Sequence, residues 1–385
     1  MRIVGALLGV ALVLLVLADC FESILQPRRV TRRYRYARLF YVTTWAFWRA
    51  VARRMAPGKR QAAFLSAYGP LSLLGIFATW FLGLIVGFAL LNWSLGLSIH
   101  APEGRPTFGT YLYLSGTTFF TLGYGDVTPA TPLGRCLAVG ESGLGFGFLA
   151  AVLSYLPALF QAYSRREVSI STLDARAGSP PSAGQLLLRL ARANNMSAAE
   201  PFLAEWERWA AELLEGQLSF PVLSYYRSQH DNESWLAALT VILDACALFM
   251  TYVSGQNTYQ AQVTFAIARH AAVDLALALR TPAAAADRPG EDRLPAEQLR
   301  RLREALRDAG VEVRDDAAVA EAALRELRGM YEPFVAALAE RLVLSLPPVM
   351  PMDETPDNWQ RSAWMRPAPG IGKLPAATGN EDHFA

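Results

Sequence analysis

Apolar stretches of unequal length dominate the first half of the chain. Ile3 to Ala18 carries no charge and is bounded by Arg2 and Asp19. At about 1.5 Å per residue this run is a little short for a hydrocarbon core of roughly 30 Å, and it is expected to span with local thinning of the bilayer. A cleaved leader fits less well, because Leu17-Ala18-Asp19-Cys20 lacks small residues at the cleavage spacing. Leu39 to Val51 holds Phe40, Tyr41, Trp45, Phe47 and Trp48, then Arg49, Arg53 and Arg54, a pattern that predicts a helix lying in the membrane interface and ending at Pro57-Gly58. Residues 71–91 form the clearest spanning helix, with Trp80 inside and Asn92-Trp93 at its end. Phe108 to Phe120 is apolar but too short to span. Cys136 to about Tyr163 is a second long helix, closed by Arg165-Arg166.

The second half reads differently. Glu167 to Ser182 contains Ala177-Gly178-Ser179-Pro180-Pro181 and predicts a linker. Helical patterns follow from Gln185 to Ala193, through Leu214 after a capping-box pattern at Ser197 to Glu200, over 234–253, from Gln256 to Leu279, and in three shorter charged pieces between Leu294 and Ser345. No strand-turn-helix alternation signals a nucleotide-type regulatory domain. Trp235 to Val253 is apolar except for Asp244. Its polar flanks, Asp231-Asn232-Glu233 and Gln256-Asn257, predict a core helix of a bundle rather than a further span. Seven prolines from Leu346 to Ala385 mark an extended tail in which Trp359 and Trp364 could dock locally.

Of the 385 residues, 52% are hydrophobic and the formal charge is only +2, so nothing in the whole-chain balance points to nucleic acid. The local balance is more informative. Between Ser23 and Pro102 there is no Asp or Glu, while eleven Lys and Arg residues lie from Arg28 to Arg60. The positive-inside rule puts this block in the cytoplasm and the N-terminus outside. Arg29, Arg32, Arg35 and Arg38 fall every third residue, as in a voltage sensor, but Arg28 and Arg33 break the apolar spacing and only one hydrophobic segment precedes them. A basic block beside anionic lipid headgroups, spanning Arg28 to Arg38, is the better reading. Cys20, Cys136 and Cys246 suggest neither a disulfide framework nor a zinc site.

Between the short apolar stretch and the last long helix stands Thr117-Thr118-Phe119-Phe120-Thr121-Leu122-Gly123-Tyr124-Gly125-Asp126. A cation filter is made of successive backbone carbonyls aimed at one axis, which replace the water shell of a dehydrated ion. Such a run requires positive φ at intervals, and Gly123 and Gly125 sit at alternate positions. Thr121 adds a hydroxyl at the inner end, Tyr124 a ring to brace the loop, and Asp126 a carboxylate at the mouth.

This stretch resembles the signature of the potassium-channel superfamily, in its prokaryotic two-helix pore-domain form. The order of outer helix, short pore helix, filter and inner helix over residues 70–165 resembles that module too. The resemblance implies K+ coordination at Thr121, Leu122, Gly123 and Tyr124, with Gly125 completing the filter, mainly through backbone carbonyls. It also implies a homotetramer, since one filter segment cannot surround an ion. Leu122 stands where the commonest filter has valine, and Phe119 and Phe120 replace smaller residues. A less selective monovalent cation pore is therefore the nearest rival.

Glu141 is a carboxylate inside a membrane helix and so a functional candidate. Thr117, Thr118 or a pore-helix backbone group is expected to receive it beside the filter. The resemblance places a hinge at Gly145, and Pro157 is a second candidate kink. By the helix period from Gly145, residues Phe146, Leu149, Leu153 and Pro157 would line the cavity and gate. Gly143-Leu144-Gly145-Phe146-Gly147 is not a nucleotide loop, since no strand precedes it. His230, Asp231, Asp244, His270 and Asp274 form at most a weak metal-ligand set, and no hydrolase motif accompanies them.

The expectation is an all-α membrane protein. Residues 1–25 would form an N-terminal transmembrane helix, 26–69 a basic cytoplasmic or interfacial segment, and 70–165 the pore domain. Residues 166–182 would be a linker, 183–345 a cytoplasmic helical domain and 346–385 a Pro-rich tail. The expected function is passive potassium conduction across the cell membrane, without catalysis, a cofactor or voltage-sensor drive. The alternative from another class is a membrane-anchored sensor responding to a ligand of the helical domain.

Overall fold

A computed structural model of the chain describes residues 2–25, 36–102, 104–228, 233–281 and 292–350. These residues are helical almost throughout, and they divide into two compact units: Met1–Ala56 with Ala63–Gln161, and Pro57–Ala62 with Ala162–Ala385. Arg28, Arg29, Arg32, Arg33 and Arg35, the pair His230 and Asp231, and Trp359 and Trp364 lie outside the described residues.

In the first unit, α1 (Arg2–Cys20) continues as a wider helical turn over Phe21–Leu25. It lies antiparallel to α3 (Lys59–Ser94), which absorbs Pro70 and is much longer than the run 71–91 that marked it in the sequence. Glycines let the two backbones nearly touch. A Cβ on Gly9 would come within 2.8 Å of the Gly87 carbonyl, and one on Gly87 within 2.7 Å of Val13. In lipid, where apolar burial drives little association, such small-residue contact holds helices together.

Helix α2 (Tyr36–Ala52) packs on the early half of α3. Trp48 stacks on Phe64 at 4.3 Å and donates to the Phe64 carbonyl, while Trp45 meets Tyr68 edge-on at 4.8 Å. The two tryptophans expected at the lipid interface thus face protein, because α3 extends far enough to receive them. Tyr36, Leu39, Val42 and Phe47 are exposed instead.

The short pore helix α4 (Phe108–Phe119) and the long helix α5 (Pro132–Ala177) complete this unit's share of the chain. A two-residue ribbon, β1 (Ile99–His100) against β2 (Thr128–Pro129), ties the segments flanking α4 and the filter.

Helix α5 corrects the expected linker: it continues to Ala177 instead of stopping near Tyr163. Its last turns bury Ile170, Leu173 and Ala177 at helical spacing, and that apolar face keeps them helical despite the polar residues between. Arg166, buried there, donates to the carbonyls of Leu223 (3.0 Å) and Tyr226 (2.9 Å) and to Glu167.

The second unit is a helical assembly of α6 (Ala183–Arg192), α7 (Ala199–Ser219), α8 (Trp235–Tyr252), α9 (Tyr259–Ala278), α10 (Ala296–Asp308), α11 (Ala317–Gly329) and α12 (Glu332–Leu342). Ser182 caps α6 and Ser234 caps α8 through their hydroxyls. The capping box expected at Ser197 is not formed: a 3-10 turn over Met196–Ala198 precedes α7, and Ser197 bonds to Asn195. Helix α8 lies at the centre, packed by α6, α7, α9, α11 and α12. Its one charge, Asp244, takes both guanidinium nitrogens of Arg293 at 2.8 Å and the hydroxyl of Tyr331.

Candidate functional site: the filter segment and its supports

Helix α4 starts where Thr107 and Thr110 bond to each other, and it ends in turns that prepare the filter. The amides of Phe120, Thr121 and Leu122 donate to the carbonyls of Gly116, Thr118 and Thr117. The backbone then takes positive φ at Thr121 (55°), Gly123 (59°) and Gly125 (78°). Every second residue is therefore left-handed, and this alternation turns successive carbonyls toward one side of a strand. The glycines make two of these positions free of strain, while Thr121 holds the third against the preference of a β-branched residue.

Residues 121 to 126 are all exposed on the single chain, including Leu122 (53%) and Tyr124 (69%). An apolar and aromatic segment of this kind has no cover within its own subunit.

The segment is held from behind. Tyr113 on α4 donates to Asp126 at 2.8 Å and so ties the mouth to the pore helix. Ser115 bonds Glu141 on α5 and reaches the Ile85 carbonyl on α3 at 2.8 Å, joining three helices in one buried cluster. Of the receivers expected for Glu141, Thr117 bonds the Leu114 carbonyl instead. The receiver is the Ser115 hydroxyl, two positions earlier on the same helix.

Gly145 is buried, and a Cβ there would collide with the Phe119 carbonyl at the end of α4. That close approach alone requires glycine, whatever bending occurs at this point. Phe146 (69%), Leu149 (54%) and Leu153 (63%) lie exposed along one face of α5, together with Pro157. The structure thus brings the candidate filter segment, Asp126, Thr117 and Glu141 around α4 and lays the four gate candidates along α5. Tyr113 and Ser115 were missed in the sequence. A buried Glu and a mouth Asp each call for a donor, and α4 offered several hydroxyls.

Among the described residues no group of three or more His, Cys, Asp or Glu is placed to hold a metal. Asp244 is committed to Arg293, and His270 pairs with Asp274 at 3.4 Å on one helix face.

Comparison with known proteins bears on the family of the first unit. A family model described as "Ion channel" matches residues 75–162. Protein LctB of Bacillus caldotenax is 31% identical over 94 residues, which cover 22% of this chain and 69% of that protein. Protein LctB of Geobacillus stearothermophilus is 32% identical over the same length and shares. No solved structure matches the chain significantly. The matched residues hold the outer helix, the pore helix, the filter segment and the inner helix, and the chain belongs to the two-helix ion-channel family.

Proposed function

We propose that four copies of this chain form a potassium-selective channel in the cell membrane, with the C-terminal helical unit in the cytoplasm. The observation that carries the reading is the alternating backbone of Thr121, Gly123 and Gly125 in a segment exposed on the isolated subunit. Carbonyls of Thr121, Leu122, Gly123 and Tyr124 would replace the water around K+, and four such segments about one axis would bury one another's apolar side chains. Tyr113 and Ser115 would hold the ring from behind through Asp126 and Glu141, and Phe146, Leu149, Leu153 and Pro157 would face the inner cavity.

Conduction is passive and involves no bond-making step. The basic residues of the block from Arg28 to Arg38 that precede α2 would reach the anionic lipid headgroups on the cytoplasmic side. Purified protein in planar bilayers under opposed K+ and Na+ gradients tests selectivity. A reversal potential close to that of K+ is expected; one midway between the two ions would favour a less selective pore. The mass of the detergent-purified assembly tests the number of subunits, and any value other than four overturns that part.

A further inference from the structure

Asp19 served in the sequence only to mark the end of the first apolar run. In the structure it is almost fully buried, and it accepts from two other helices. The Ala37 amide, in the first turn of α2, lies 3.1 and 3.0 Å from its two oxygens, and Trp80 Nε1, midway along α3, lies 2.9 Å from Oδ2.

The depth of this carboxylate follows from α3. Its strongly exposed large side chains run from Leu71 to Trp93. Twenty-two helical steps are about 33 Å, close to the roughly 30 Å of a hydrocarbon core. Trp80 lies nine steps, or about 13 Å, inside that band. Asp19 at its side is therefore an acid within the membrane, which is costly unless paired and marks function by default. The pairing is favourable, because the first amides of a helix carry partial positive charge. Helices α1 and α2 thus meet beside α3 with Asp19 at the junction: Gly5 lies by Ser94 and Gly83 by Val16, while Phe40 reaches Gly75.

The contact does not stop at Trp80. Its ring meets Phe148 of α5 edge-on at 6.0 Å, and Phe148 also packs on Phe81 at 4.9 Å. Phe148 is buried one turn beyond Gly145 and next to Leu149 on the exposed face. An unbroken path therefore runs from the start of α2 through Asp19 and Trp80 to the inner helix, all within the first unit.

We propose that Asp19 is an intramembrane latch: through Trp80 it ties the start of α2 to Phe148 and so sets the position of the pore-lining helix. The proposal rests on the ion-channel reading. It makes Asp19 and Trp80 positioning residues for opening, and it makes α1 a working part of the pore.

Two variants separate the latch from general packing. Trp80→Phe keeps an aromatic ring toward Phe148 and deletes the donor together with the volume of the larger ring, whereas Asp19→Leu deletes both acceptors and leaves that ring in place. In single-channel recordings each should change open probability in the same direction by about tenfold, the worth of one hydrogen bond to a charged group. Unitary conductance and reversal potential should stay at the wild-type value, and the double variant should match the single ones.

A Trp80→Phe channel that opens like wild type overturns the latch, as do effects that multiply in the double variant. If Asp19→Leu fails to assemble, Trp80→Phe alone decides. Amide exchange at Ala37 requires no current: it should speed up in Asp19→Leu, or in Trp80→Phe where that variant does not assemble, and an unchanged rate overturns the latch even if the wild-type pore proves silent.

Discussion

Ser115 offers the sharpest test of how the filter is supported. Its hydroxyl carries one proton, yet it lies within reach of two acceptors, the Ile85 carbonyl at 2.8 Å and Glu141 Oε1. It cannot donate to both at once. All three groups are satisfied when Glu141 holds a proton of its own and gives it to Ser115, which then donates to Ile85. Glutamine at 141 would do the same through its amide. Alanine at 115 would leave the Glu141 side chain without this partner in a buried place, at about 1–3 kcal/mol, while the Ile85 carbonyl keeps its bond within helix α3. In an assembly of four copies that cost recurs in every subunit.

The assay is thermal dissociation of the detergent-purified oligomer, together with K+ over Na+ permeability. Ser115→Ala and Glu141→Leu should each lower the dissociation midpoint and loosen selectivity, while Glu141→Gln should stay near wild type. A Ser115→Ala oligomer as stable and selective as wild type would refute the bracing argument. So would a Glu141→Gln variant as damaged as Glu141→Leu.

Other perturbations follow from the same structure. Gly145→Ala drives a methyl into the Phe119 carbonyl, where backbone has no room to yield; overpacking of about 1–3 kcal/mol should reduce current or oligomer stability, and wild-type values for both would contradict the close approach. Arg293→Met strips Asp244 of two charged bonds in the bundle core and should cost about 3–5 kcal/mol in unfolding of the full chain, with partial recovery when Asp244→Asn is added. Burial, with Asp174 and Glu167 nearby, pushes the Glu233 carboxyl up to about 7 from 4.5. The native state therefore keeps a proton that the unfolded chain has released. The stability from this group is full below about pH 4.5 and is lost as pH rises through about 7. Thermal midpoints across that interval should fall with pH, and Glu233→Gln should flatten the slope; an unchanged slope would refute the assignment.

What could be read in the sequence was chemistry carried by neighbouring residues. Gly123 and Gly125 announced the alternating backbone, because glycine is the residue that takes positive φ without strain. Thr121, the third such position, gave no sign, since its conformation is imposed by the turn that bonds Leu122 back to Thr117. Glu141 was visible as a carboxylate in an apolar helix. Its receiver was not, because Ser115 lies 26 positions away and the rotation of α4 decides which hydroxyl faces α5. Asp244 met Arg293 across 49 positions, and Asp19 met Trp80 across 61, for the same reason. The turn signals at Gly178-Ser179-Pro180-Pro181 were sound, but the polar residues ahead of them hid one buried face, and α5 outran the expected end.

Helix α8 shows why length and apolarity do not by themselves decide a membrane crossing. It is one of four described helices long and apolar enough to span. In α1 and α5 only 17% of the most apolar stretch is buried within the chain, and in α3 it is 50%, so each still presents surface to lipid or to another subunit. In α8 the figure is 89%. Its apolar side chains are already covered by α6, α7, α9, α11 and α12, and its central carboxylate is neutralised by Arg293 from the same unit. Moving α8 into a bilayer would exchange those packed contacts for lipid tails that attract it no better, and would part Asp244 from its counter-charge. Both changes are unfavourable, and in the proposed arrangement they leave α1, α3 and α5 as the crossing helices, an odd number. In that proposed arrangement an odd number of crossings would put the N-terminus and the helical unit on opposite sides of the membrane, in keeping with the positive-inside rule for the basic residues from Arg28 to Arg60.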